Sequence, residues 1–206
     1  MDRFVAMTLL AFAATAISRP ASAMINIYKA NITHDQVVGI PDEGSSGLGT
    51  FVLNTDVVPP TLSYDITLIG LDLDGLRTPG NADDNVTGAH LHVAPFGASG
   101  SIVFGLIDPS ASLRNDLDDL LINAASGMIH GVWDGTEGNG GTLTDQLPSF
   151  LTLNAANQTN IYFNVHTTDH PSGEIRGQLT FVPEPATLAI FALSVLVAGG
   201  IVRRRN

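Results

Sequence analysis

No cysteine occurs in the 206 residues, so the chain has no disulfide, no thiolate metal ligand and no thiol nucleophile. Positive charge is scarce too, with nine Lys and Arg against twenty Asp and Glu. Arg3, Arg19 and Arg203 to Arg205 lie at the two ends, which leaves Lys29, Arg77, Arg114 and Arg176 between them. Setting aside Asp2 and Glu184, eighteen acids face those four bases, a net charge of −14 with histidine neutral. Such a surface repels nucleic acid and attracts cations, which excludes DNA or RNA as a partner. Catalytic motifs are missing as well. The run "GASGS" is not a Gly-x-Ser-x-Gly elbow, and no phosphate-cradling Gly-Lys-Ser/Thr loop occurs. No enzymatic activity is expected.

Long apolar runs are confined to the ends. Arg3 precedes an apolar stretch from Val5 to Ile17, and Ala21-Ser22-Ala23 supplies the small residues of a signal-peptidase site, so residues 1–23 read as a signal peptide. At the other end stand Pro183-Glu184-Pro185, an apolar run from Ala186 to Val202 and three arginines. The run is near the lower limit for a membrane-spanning helix, and the arginines favour the cytoplasmic side. This order of motif, apolar helix and basic cap over residues 183–206 resembles the PEP-CTERM sorting signal of Gram-negative bacteria that make extracellular polysaccharide. The resemblance implies recognition by an exosortase and cleavage near Pro183-Glu184-Pro185. The chain would be held briefly in the inner membrane, then released to the cell surface or beyond.

Residues 24–182 form one expected domain, large enough to bury a core without crosslinks. It reads as β. In "TLSYDITLIGL", Leu62, Tyr64, Ile66 and Leu68 alternate with Ser63, Asp65 and Thr67. Further short runs occur in "MINIYKA", "GTFVLN", "GAHLHVA", "SIVFGLI", "GMIHGVW", "IYFNVHT" and "GEIRGQLTFV". The expected fold is all-β, an antiparallel β-sandwich of about eight strands. Two pieces, "SLRNDLDDLLINAA" and "TLTDQLPSFLTLNAANQ", carry helical apolar spacing and read as short helices or irregular crossovers.

Two of the six histidines stand one residue apart, His90 and His92. Strand geometry turns both to one face, with Ala89, Leu91 and Val93 on the other. His166 shares a polar face with Tyr162 and Asn164, and Glu174, Arg176 and Gln178 form another. If these strands are neighbours, His90, His92, His166, Glu174 and Arg176 meet. The blocks "AHLHVAPFGASGSIVFGL" and "YFNVHTTDHPSGEIRGQL" resemble the CHRD domain, named after its repeats in chordin and common in secreted bacterial proteins. His90, His92, His166, Gly173, Glu174, Arg176 and Gly177 stand at that family's motif positions. The resemblance implies a sandwich-like fold and an exported location, and it supplies little mechanism.

Two readings of this face remain open. In one it is a copper or zinc site of His90, His92 and His166, with Glu174 as a fourth or outer group. In the other it is a structural polar network in which Glu174 and Arg176 fix strand register, in a structural or adhesive protein of the polysaccharide matrix. Cu/Zn superoxide dismutase, a sandwich with a His-x-His copper pair, is a distant resemblance. This chain lacks its cysteine pair and its zinc loop, so dismutation is not expected. His130 reads as a strand residue and His170 as a loop residue, while His34 lies in a polar stretch and carries no signal. Asp72, Asp74, Asp83 and Asp84 could offer calcium oxygen ligands between turn glycines, but without EF-hand spacing. Weak binding at most is expected there. The loop "WDGTEGNGG" reads as solvated and acidic.

Overall fold

The computed structural model describes residues 25–37, 44–108, 115–116, 118–137 and 141–183. Ala21 and Ala23 of the expected signal peptide, and the sorting tail from Glu184 and Pro185 onward, lie outside the described residues. Among the described residues no helix is long and apolar enough to cross a membrane.

The nine strands are β1 (Ile25–Thr33), β2 (Ser46–Asn54), β3 (Thr61–Ile69), β4 (Val86–Val93), β5 (Ser101–Ile107), β6 (Leu121–Asn123), β7 (Met128–Trp133), β8 (Gln158–Thr167) and β9 (Ile175–Val182). They pair antiparallel in the order β5-β4-β8-β9-β1-β2-β3-β7-β6. The expected all-β antiparallel fold is present, and its two layers are halves of one sheet that curls over. Phe104 of β5, at one end of the strand order, stacks on Trp133 of β7 near the other end, with ring centroids 4.3 Å apart. Phe51 of β2 likewise meets Phe163 of β8 at 6.3 Å. These contacts close a core into which Leu62, Tyr64, Ile66 and Leu68 all point, as their alternation predicts.

All eight expected strands form. The ninth, β6, arises in the first of the two segments with helical apolar spacing. Tertiary hydrogen bonds override that spacing. Asn115 donates its backbone N–H to the Gly105 carbonyl and accepts the Gly105 N–H on Oδ1, while Asp116 accepts the Tyr64 hydroxyl. The second segment yields α1 (Leu143–Leu151), opened by a capping box between Thr142 and Asp145.

Candidate metal centre

Strands β4, β8 and β9 lie side by side, and their central residues are buried on both faces. One face joins the core through Ala89, Leu91, Phe163, Val165, Ile175 and Leu179. The other carries His90, His92, Tyr162, Asn164, His166, Arg176 and Gln178, roofed by the loop of residues 94–100. Arg176 Nη1 donates to the Ala98 carbonyl at 2.7 Å, Gln178 Nε2 to Ala94 at 3.0 Å, and Gly100 N–H to the Tyr162 hydroxyl at 3.1 Å. Tyr162 lies directly opposite His92 in the sheet, and the two rings stack at 4.9 Å. From the β9 side the Arg176 guanidinium sits 3.5 Å from the centre of the Tyr162 ring, a cation–π contact.

The three histidines converge here. One nitrogen from each of His90, His92 and His166 lies within 4.8 Å of the others. Gly88 makes this possible, because a Cβ there would stand 2.7 Å from the His90 ring, too close for it to keep its place beside His166. Each imidazole is held from behind. His90 Nε2 bonds Asp108 Oδ2 at 2.8 Å, His92 Nδ1 donates to the Gly100 carbonyl at 3.0 Å, and His166 Nδ1 donates to the Pro171 carbonyl at 3.0 Å. A neutral imidazole that donates from one nitrogen keeps a lone pair on the other. The lone pairs therefore fall on His90 Nδ1, His92 Nε2 and His166 Nε2. The first two are buried with no hydrogen-bond partner, and the third stands 3.2 Å from Asn164 Nδ2.

Burial keeps these rings neutral. It pushes His92 down to about 4, helped by His90, His166 and Arg176 and opposed by the Gly100 bond. Burial and then His166 lower His90 against the pull of Asp108, and burial lowers His166. Three neutral imidazoles with tautomers fixed from behind form a donor set that suits copper or zinc. An ion at about 2.0 Å from each nitrogen would draw them to about 3.4 Å apart, a modest closure of the present spacing.

Glu174 goes elsewhere. It precedes β9, takes the Ser45 hydroxyl at 2.5 Å, and lines a separate pocket with Asp83, Asp84, Asp169 and His170. It thus fixes structure between the β2 entry and β9, while Arg176 bonds Ala98, Pro95 and Gln178.

The acidic loop is organised by its own hydrogen bonds. Buried Asp72 accepts from the N–H groups of Asp74, Gly75 and Thr78 and from the Thr78 hydroxyl. Burial raises its pKa, but these bonds outweigh that and hold the carboxylate well below its usual range. Thr78 also ties Asp84, and Asp74 caps the Leu76 N–H. Among the described residues these four acids do not gather three ligand oxygens around one point. The remaining histidines each stand beside an aspartate: His34 by Asp35, His130 by Asp65 across the β7–β3 pair, and His170 by Asp169.

Sequence reading assigned no part to Asp108, Gly100 or Pro171. Asp108 ends the β5 run, and its position after an apolar strand was the one visible signal. The two backbone carbonyls leave none.

A curled β domain with a histidine-lined pocket of about 140 Å³ under a loop, followed by a sorting tail, defines an exported β-domain protein. Residues 28–179 match the CHRD domain model and residues 181–205 the PEP-CTERM protein-sorting motif. The chain belongs to the CHRD domain family. Its sorting motif implies recognition by an exosortase and export to the cell surface or beyond. Nothing matches it among curated proteins or among solved structures.

Proposed function

We propose that this chain is a non-enzymatic surface protein that holds a copper or zinc ion through His90, His92 and His166. One observation carries the reading: two buried imidazole nitrogens, His90 Nδ1 and His92 Nε2, lack any hydrogen-bond partner, and both are on residues of the converging cluster. A buried acceptor without a donor costs about 1–3 kcal/mol, and a metal ion would remove that cost. Arg176, Tyr162 and Asn164 shape the pocket wall, and Glu174 acts through Ser45 rather than as a ligand.

Before processing, the apolar tail would hold the chain in the inner membrane. After signal peptidase and exosortase have acted, the domain would stand at the surface or in the polysaccharide matrix.

A second reading has its own support, the stack and hydrogen bonds that link His92, Tyr162, Arg176 and Gln178 across three strands. In that reading the face is a rigid network in a structural or adhesive protein. Elemental analysis of the exported chain separates the two. Metal binding predicts close to one copper or zinc per chain, lost in His92→Ala and His166→Ala, with a melting temperature that falls when the metal is chelated. A chain that retains no transition metal and takes up neither ion on titration leaves only the network.

A further inference from the structure

A second cluster lies at the other end of the strand order, beside β3 and β7. Asp116, Asp118 and Glu137 each bring one carboxylate oxygen within 4.8 Å of the other two. Asp116 is 1% exposed and Glu137 5%, while Asp118 faces solvent. Part of each carboxylate is accounted for. Asp116 Oδ2 takes the Tyr64 hydroxyl, Glu137 Oε2 takes the Asp134 N–H at 2.8 Å, and Asp118 Oδ2 takes the Thr136 hydroxyl at 3.4 Å. The other oxygens of the two buried acids, Asp116 Oδ1 and Glu137 Oε1, have no hydrogen-bond donor. The backbone makes room for this group at Gly131 of β7, where a Cβ would collide with the Tyr64 hydroxyl and the Asp116 carboxylate.

Burying two carboxylates side by side is costly unless a positive charge is shared between them. Burial pushes Glu137 up to about 8, aided by Asp116 and Asp118 and against the Asp134 bond. Without a cation, a proton held between Glu137 and Asp116 fills the gap. A metal ion fills it better, because it also satisfies Asp118.

We propose that Asp116, Asp118 and Glu137 form a site for a hard divalent cation of the calcium class. The donor set is oxygen only, which selects against copper and zinc and suits calcium. A calcium ion holds oxygens at about 2.4 Å and so spans up to about 5 Å between opposite ligands. Exposed Asp118 leaves an entry path and room for water ligands. The ion would join Asp116 and Asp118 to the turn after β7, closing the end of the sheet where β6 is the outermost strand. This site is independent of the histidine centre and shares no residue with it.

The test uses the exported chain, first stripped with a chelator. Calcium should raise its melting temperature saturably. Terbium emission, excited through Trp133 four residues before Glu137, should appear and be displaced by calcium. Asp118→Asn and Glu137→Gln should each weaken calcium binding by roughly tenfold or more. Glu137→Gln should still fold without calcium, because its amide replaces the protonated carboxyl. His92→Ala should leave the calcium response intact. A melting temperature indifferent to calcium, or terbium emission that calcium does not displace, overturns the proposal. So does a calcium response that persists unchanged in Glu137→Gln, or one abolished by Asp84→Asn instead, which would place the ion in the other acidic loop.

Discussion

His92 and Glu137 leave their ordinary titration ranges in opposite directions, so in the metal-free chain they tax stability at opposite ends of the pH scale. His92 falls from 6.5 to about 4, chiefly through burial, in a pocket that also holds His166, Tyr162 and Arg176, with the His90 ring beside it. A depressed folded pKa means that the unfolded chain takes the proton first. The stability that rests on neutral His92 is present above pH 6.5 and is lost as the pH falls toward about 4. Glu137 rises from 4.5 to about 8, facing Asp116 and Asp118, and Asp116 in turn faces Asp119 and Tyr64. Its contribution is full below pH 4.5 and is lost as the pH climbs toward about 8. Denaturant midpoints measured across this range on chelated protein should show both slopes. His92→Gln should flatten the acid side and Glu137→Gln the alkaline side; slopes unchanged in both variants would contradict the assignment. The His-x-His spacing and the polar side of β8 were legible in the sequence. The groups that fix each imidazole were not, because a carbonyl of a folded-back loop has no residue type to betray it. Glu174 shows the opposite failure: alternation put it in line with Arg176, but it lies just before β9 begins and turns toward Ser45.

Among the elements, the strands were the most legible part, since period-two alternation in β3 or β8 reflects one wall of the core directly. Alternation says nothing about strand order, so the single curled sheet could not be read from it. Nor could it show that the polar sides of β4 and β9 are buried beneath residues 94–100 rather than wet. The β6 segment misled because leucine spacing is local, whereas the bonds of Asn115 and Asp116 to β5 and β3 are not. Closure of the sheet depends on Phe104 and Trp133, which touch across strands that are not neighbours. Phe104→Ala should therefore cost about 3–5 kcal/mol, measured by denaturant unfolding. It should also loosen β5 first, seen as faster amide exchange there than in β1 and β2. Uniform loosening would mean that β5 and β7 do not close the core as described.

For the whole molecule, the charge of −14 over residues 24–182 suits a domain that meets cations and repels polyanions. Mass spectrometry of the mature protein from a host with active exosortase should give an N-terminus at Met24 and no apolar tail. A mature chain that keeps Ala186 to Val202 would refute the processing scheme. A cut at the motif removes no strand, because β9 ends at Val182 and already pairs there with Ile27 of β1. That pairing has a consequence for assembly. The hairpin β5-β4 and the group β1-β2-β3-β7-β6 are joined in the sheet only through β8 and β9, the last strands to be synthesised. In a chain threaded outward from its N-terminus, the two groups meet only through side chains such as Phe104 and Trp133 until β8 and β9 arrive. The continuous sheet is therefore complete only after nearly all of the chain has crossed.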